Sequence, residues 1–474
     1  MSAMMTLAQA QAALTHAQCA VTWQGAADVV IHRVHTDTRS IEPGDLFVAL
    51  RGEHFDANDF LHEARQKGAV AAICQGDNAA AKLAQAGLPG VVVPDAKLAL
   101  AQLATHWRAQ FALPLIAVTG SNGKTTVTQM IASILRAWQG DASLATQGNL
   151  NNEIGVPLTL LRLRAQHRVA VVELGMNHPG EIATLAAMAQ PTVALVNNAQ
   201  REHLEFMATV EAVAQENGSV IDALSADGTA VFPLDDDFSA LWAAKAGQRP
   251  RLGFGGDASP GAAVRATQAR WSDAAWQVSA ETPAGSLQYA LHIAGAHNVK
   301  NSLAAVACAL AAGVPLQAIA AGLEAFEPVK GRSRALRVKV QGRAITVVDD
   351  TYNANPDSVR AAIEVLAALP APRLLVLGDM GEVGNHGPEF HAEALQLAID
   401  KNIEKVLVTG VASGQAAMNF KSIEVHASMT DLQTAVLAAL PTVASVLVKG
   451  SRFMKMERVV DAVRAVADKG NPAC

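Results

Sequence analysis

The sequence predicts an α/β protein of three domains: a small α/β N-terminal domain, a central domain on a mostly parallel sheet of the P-loop type, and a Rossmann-like C-terminal domain. Three observations carry that expectation. The 474 residues suffice for about three units, each burying its own core. Short β-branched apolar runs alternate with helix-length segments along most of the chain, the βαβ pattern of parallel sheets. Finally, Leu115 to Val127, L-I-A-V-T-G-S-N-G-K-T-T-V, reads as a buried strand, a glycine turn and the start of an amphipathic helix.

Bulk properties narrow the function classes. Half of the residues are hydrophobic and 17% are charged, which excludes a disordered chain. A net charge of −6 gives no support for nucleic acid as a partner, while leaving room for a local basic pocket that takes an anion. Cys19, Cys74, Cys308 and Cys474 are scattered, so neither a disulfide framework nor a zinc site is indicated. No lysine or arginine precedes Arg33, so the start lacks the basic region of a signal peptide. The longest apolar run, Leu303 to Val314, is too short to span a membrane and is broken by Gly313 and Pro315. A cytoplasmic monomer with no membrane association is expected.

In chain order, the N-terminal domain is placed at residues 1–95. V-V-I-H-R-V-H-T-D-T-R at 29–39 and D-L-F-V-A-L at 45–50 read as strands, followed by a helix near Phe60 to Lys67 and strands at A-V-A-A-I-C and V-V-V. Asp37, Thr38 and Arg39 form a polar cluster at a strand end. It fits a solvated loop, or a holder of phosphate or sugar.

The central domain is placed at 96–328. Pro94 and Pro114 bracket a helix from about Ala96 to Phe111. In the stretch that follows, Gly120 and Gly123 allow a sharp turn and close backbone approach, and Ser121, Asn122, Lys124, Thr125 and Thr126 complete a phosphate cradle. Backbone N–H groups face the anion, the lysine pairs with outer phosphates, and the first hydroxyl holds Mg²⁺. The loop is G-x-x-G-K-T, with Val118 where the longer P-loop would have glycine. A nucleoside triphosphate site is the expectation. Glu173 ends the apolar strand V-A-V-V-E at 169–173, and Arg201, Glu202 and His203 follow the strand T-V-A-L-V-N-N at 192–198. Ligands of open α/β sheets lie at such carboxyl ends. A carboxylate there is a Mg²⁺ ligand or half of a structural ion pair, and His203 is a ligand or a hydrogen-bonded structural group. Residues 250–290 read as an antiparallel annex. A helix opened by Gly295, His297 and Asn298 follows, with Asn301 on the same face as Asn298.

The C-terminal domain is placed at 329–474. Four buried strands, at 344–350, 374–379, 405–410 and 445–450, alternate with helices, and their ends carry Asp349, Asp350, Asp379, Lys449 and Arg452. No G-x-G-x-x-G turn occurs among them, so no second nucleotide site is indicated.

Several motifs together carry a family resemblance. T-G-S-N-G-K-T-T, G-N-L-N-N-E-I-G-V-P-L-T-L, E-L-G-M-N-H-P-G-E-I, N-N…E-H-L, G-A-H-N-V-K-N-S-L-A-A, K-G-R and D-D-T-Y-N-A-N-P resemble the Mur ligases, in order from about Thr36 to Val460. The resemblance implies an ATP- and Mg²⁺-dependent amide-bond-forming enzyme of peptidoglycan precursor synthesis. Y-N-A-N-P, L-G-D-M and K-G-S-R-F-M-x-x-E imply the branch that adds D-alanyl-D-alanine to UDP-N-acetylmuramoyl-tripeptide. It further implies that Thr38 and Arg39 fall in the uridine-nucleotide region, and that Asn149, Asn151 and Asn152 face substrate and phosphates. Asn298, Arg332 and Asp350 match positions that contact ATP. Lys124, Glu173 and His203 become the expected catalytic residues, with Thr125, Glu173 and His203 as the expected metal ligands. Where several relatives carry a carbamylated lysine, this chain has Asn217, so a second cation would need His203 with an amide, water or Glu216. A related folylpolyglutamate synthetase, or a non-catalytic nucleotide switch, would share the loop but not the uridine-region motif with Y-N-A-N-P.

Overall fold

Three sheets organise the computed structural model, which describes residues 3–17, 19–256, 259, 261–272 and 275–467. Cys474 lies outside the described residues. The first sheet has five strands in the spatial order Thr22–Gln24, Gly90–Val93, Ala71–Gln75, Asp45–Val48 and Arg33–His35, parallel except for the first pair. The run at 29–39 is not one strand. Val30–Ile31 pairs antiparallel with Met5–Thr6, and only Arg33–His35 joins the larger sheet.

The helix Ala96–Arg108 starts where Asp95 accepts from the N–H groups of Lys97 and Leu98, and its Ala99, Leu100, Leu103 and Ala104 are fully buried. That helix leads into the second sheet of nine strands. Its order is Gly285–Leu291, Ala275–Thr282, Val264–Ser272, Arg251–Gly255, Thr229–Pro233, Val193–Val196, Leu115–Thr119, Val169–Glu173 and Ser143–Ala145. Leu115–Thr119 thus has Glu173 on one neighbour and the Asn197–His203 loop after the other. The residues at 250–290 form an antiparallel annex only in part. Arg251–Gly255 and Val264–Ser272 extend the parallel sheet, and only the last three strands pair antiparallel.

The third sheet has six strands in the order Arg334–Val340, Arg343–Asp350, Ser445–Lys449, Arg373–Leu377, Lys405–Thr409 and Ile423–His426. The two outermost strands were not legible in the sequence, because edge strands carry charge in place of a continuous apolar run. Arg334–Val340 alternates exposed and half-buried positions along its length. No helix among the described residues is long and apolar enough to cross a membrane.

Candidate nucleotide and ligation site

The phosphate loop joins the central strand Leu115–Thr119 to the helix Lys124–Gln139. Gly123 sits at φ +81°, and a Cβ there would fall 2.7 Å from Asn301 Oδ1. Gly120, at φ +129°, would press a Cβ to 2.9 Å from Asn197 Cβ. Asparagines brace the loop. Asn217 Oδ1 accepts from Gly120 N–H at 3.0 Å, and Asn198 Oδ1 accepts from Asn122 N–H at 2.8 Å. Asn197 Nδ2 donates to Asn122 O at 2.8 Å and to Asn301 Oδ1 at 3.0 Å. The N–H groups that open the helix, Lys124 to Thr126, have no intrahelical acceptor and are left for an anion.

Lys124 Nζ folds back over the loop, donating to Gly120 O at 2.5 Å, Ser121 O at 3.0 Å and Glu202 Oε1 at 2.8 Å. Thr125 Oγ1 donates to Glu173 Oε1 at 2.9 Å, and Asn151 Nδ2 donates to the same oxygen at 2.8 Å. Glu173 is 2% exposed, yet its Oε2 has no hydrogen-bond partner among the described residues. A buried carboxylate oxygen left over beside a threonine hydroxyl fits a hard divalent cation whose other ligands are phosphate and water. No group of three His, Cys, Asp or Glu side chains that could hold a metal ion occurs among the described residues.

His203 takes the left-handed conformation, φ +50°, at the start of Leu204–Met207. Its Nε2 lies 3.4 Å from Glu202 Oε1, and its Nδ1 lies 2.6 Å from Glu382 Oε2, close enough for an ion pair but off hydrogen-bond geometry. Burial opposes the charged imidazole, but the two carboxylates override it and push the pKa up to about 9. The ring therefore faces carboxylates from two directions. Glu216 does not face this site: its carboxylate accepts from Gly180 N–H at 2.9 Å and Ile182 N–H at 2.8 Å, at the start of the helix Glu181–Ala189.

A cleft of about 970 Å³ runs over these groups, walled on the far side by the third sheet's loops. Ser121, Asn122, Gly123, Lys124, Thr125, Thr126, Asn149, Asn151, Asn152, Glu173, His203, Asn298, Arg332 and Asp350 all line it. Several of them also have structural work. Asn152 Oδ1 accepts from Gly155 N–H at the start of Gly155–Leu160, and Asn298 Nδ2 donates to Ala294 O. Asp350 accepts from Lys449 Nζ at 2.6 Å and Ser333 N–H at 2.9 Å. The Arg332 guanidinium lies 4.1 Å from the centre of the Tyr352 ring. Thr38 and Arg39 do not line the cleft; Arg39 is exposed and paired with Asp37 at 2.6 Å. Sequence reasoning missed Glu382, which nothing local marks in its glycine-rich loop, and named Glu202 without giving it a role.

A short phosphate loop at the centre of a parallel sheet, facing a second doubly wound domain across a cleft, defines a three-domain nucleotide-dependent enzyme. The chain belongs to the Mur ligase family. It matches the family's models in succession: "Mur ligase family, catalytic domain" at residues 30–108, "Mur ligase middle domain" at 118–309 and "Mur ligase, glutamate ligase domain" at 333–452. It is 39% identical over 443 residues to the UDP-N-acetylmuramoyl-tripeptide–D-alanyl-D-alanine ligase of Escherichia coli (strain K12), covering 92% of this chain and 95% of that protein. The crystal structure of MurF from Acinetobacter baumannii superposes with a TM-score of 0.86 at 34% identity, over 96% of this chain and 98% of that one. MurF from Thermotoga maritima in complex with ADP gives 0.78 at 25% identity, over 93% and 99%.

Proposed function

We propose that this chain is the ATP-dependent ligase that joins D-alanyl-D-alanine to the terminal carboxylate of UDP-N-acetylmuramoyl-tripeptide, in the cytoplasmic synthesis of peptidoglycan precursors. The observation that carries the reading is Lys124 with the Thr125–Glu173 pair at the foot of a cleft whose far wall is another domain. Family membership over nearly the whole chain supports it. Domain boundaries near residues 95 and 328 fit the division into three sheets.

The chemistry takes two steps. The donor carboxylate attacks the γ-phosphorus of ATP; an O–P bond forms, the bond to the β–γ bridging oxygen breaks, and ADP leaves. The dipeptide amine then attacks the acyl carbon, a C–N bond forms, the C–O bond to phosphate breaks, and the amine gives up a proton. A free carboxylate is a poor acylating agent, so phosphorylation supplies the leaving group. Phosphoryl transfer demands mainly positioning and charge neutralisation.

Helix N–H groups from Lys124 to Thr126 cradle the phosphates, with Gly120, Ser121, Asn122 and Gly123 shaping the turn. Lys124 exchanges Glu202 for the outer phosphates. Mg²⁺ would be held by Thr125 and Glu173, where the orphaned Glu173 oxygen fits it, and supplies charge neutralisation on the phosphoryl oxygens. His203 stands beside that set, at the phosphate end of the cleft. Asn298, Arg332 and Asp350 contact the nucleotide, Asn149, Asn151 and Asn152 the donor, and Thr38 and Arg39 its uridine end.

The test is phosphate release from ATP with UDP-N-acetylmuramoyl-tripeptide, with and without D-alanyl-D-alanine. Sustained release that requires both is expected. Release indifferent to the dipeptide, or none with both present, would contradict the assignment.

A further inference from the structure

Four polar side chains run in a line from the phosphate loop into the C-terminal domain. Lys124 Nζ meets Glu202 Oε1 at 2.8 Å, that oxygen lies 3.4 Å from His203 Nε2, and His203 Nδ1 lies 2.6 Å from Glu382 Oε2. The first three belong to the central domain. Glu382 stands on the loop that follows Arg373–Leu377 and precedes Gly387–Asp400. Both residues at the crossing have left-handed backbone, His203 at φ +50° and Glu382 at φ +57°. Residues with side chains hold that conformation only where their surroundings fix it.

Glu202 is 8% exposed, and its second oxygen has no hydrogen-bond partner among the described residues. When phosphates capture Lys124, Glu202 loses its shortest contact, and a buried carboxylate without a cation is costly. His203, 3.4 Å away, is then the neighbour it can turn to. A ring contacted from the Glu202 side alone would follow that carboxylate; contacted at Nδ1 as well, it stays in one orientation.

We propose that Glu382 is a positioning residue for the ligation, fixing the His203 ring over the phosphate end once the C-terminal domain is seated. This rests on the ligase reading above. A general role in holding the domains together is served elsewhere, by Arg201 with Asp357 at 2.7 Å and Glu393 at 2.8 Å, contacts that do not involve His203.

The experiment measures kcat and KM for ATP with donor and dipeptide saturating, in Glu382→Ala, Glu382→Gln, His203→Ala and Glu382→Ala/His203→Ala enzymes. Misplacing a group next to the reacting atoms can cost about 100-fold in rate. Glu382→Ala should therefore lower kcat by about 10- to 100-fold, with KM for ATP within about threefold of wild type. Glu382→Gln, which keeps the side-chain length and a carbonyl oxygen beside Nδ1, should recover most of the loss. In the double variant Glu382→Ala should add nothing to the His203→Ala loss. Wild-type kcat in Glu382→Ala, no recovery with glutamine, or fully additive losses would each overturn the proposal. If Glu382→Ala does not fold, the glutamine variant decides: a fall as large as that of His203→Ala overturns it, and a smaller fall upholds it. Absence of turnover in the wild-type enzyme would sink the ligase reading instead, so the two failures are distinguishable.

Discussion

The central domain meets its two neighbours in opposite ways. Towards the N-terminal domain the seam is apolar. One hydrophobic core runs from Leu7, Ile31, Leu46 and Val91 through Ala99, Leu100 and Leu103 to Leu115, Val156 and Leu185. Arg164 Nη2 donates to His32 O at 2.6 Å across that seam. Towards the C-terminal domain the contacts beside the cleft are polar. Arg201 binds Asp357 and Glu393 and lies over the Phe390 ring at 5.1 Å, Asn355 Nδ2 donates to Asn122 Oδ1 at 2.9 Å, and His203 faces Glu382. Apart from Ala294, the C-terminal cores are built from that domain's own residues. Parting an apolar seam exposes hydrocarbon to water, whereas ionic contacts can be exchanged for hydration at little net cost. We infer a division of labour: the apolar seam keeps the N-terminal domain in place, and the polar seam is the one that can part beside the cleft.

The largest effects should come from breaking the apolar side. Leu100→Ala removes a fully buried side chain there and should cost about 2–5 kcal/mol of stability, seen as a lower denaturation midpoint. Lys124→Ala lies between the seams and touches neither. It should cut the ligation rate by about 10²–10³-fold while the protein stays folded. Glu173→Gln should raise the Mg²⁺ concentration for half-maximal rate by about 10-fold or more in a Mg²⁺ titration; an unchanged requirement would return Glu173 to a structural role.

Arg201→Ala probes the polar seam and should cost only about 1 kcal/mol of stability, falling further in high salt, because these charges are partly exposed. A loss matching that of Leu100→Ala would erase the distinction between the seams. The smallest effect is in pH. Hydrogen bonds from Arg201 hold the Glu393 carboxyl below the usual range, so its contribution is complete above the ordinary glutamate pKa of about 4.3 and is lost as pH falls through the depressed value. The stability gap between wild type and Arg201→Ala should therefore narrow in acid, measured by denaturant unfolding from pH 7 to pH 3.

Local signals made much of this readable in the sequence. Strand, turn and helix around Gly120–Thr126 follow from periodicity and two glycines, and Glu173 stands out as a charge ending an apolar run. What could not be read depends on distance. Nothing near Glu216 says that it caps a helix 34 residues earlier, and nothing near Asn217 says that it braces Gly120. Asp350 looked free at a strand end, yet Lys449, 99 residues on, holds it. Glu382 gains meaning only from His203, on another domain. The hairpin strands after Gly255 read as an annex because their alternation is antiparallel, while the parallel pairing that joins them to the central sheet leaves no local mark.

The most direct test of the division between seams measures two distances in one protein. Spin labels on exposed positions would span the N-terminal and central domains in one pair, and the central and C-terminal domains in the other. Pulsed-EPR distances would be taken without ligand and with a non-hydrolysable ATP analogue plus UDP-N-acetylmuramoyl-tripeptide. The account predicts that the second distance shifts and narrows on binding while the first stays constant. Equal movement across both seams, or none across the second, would contradict it.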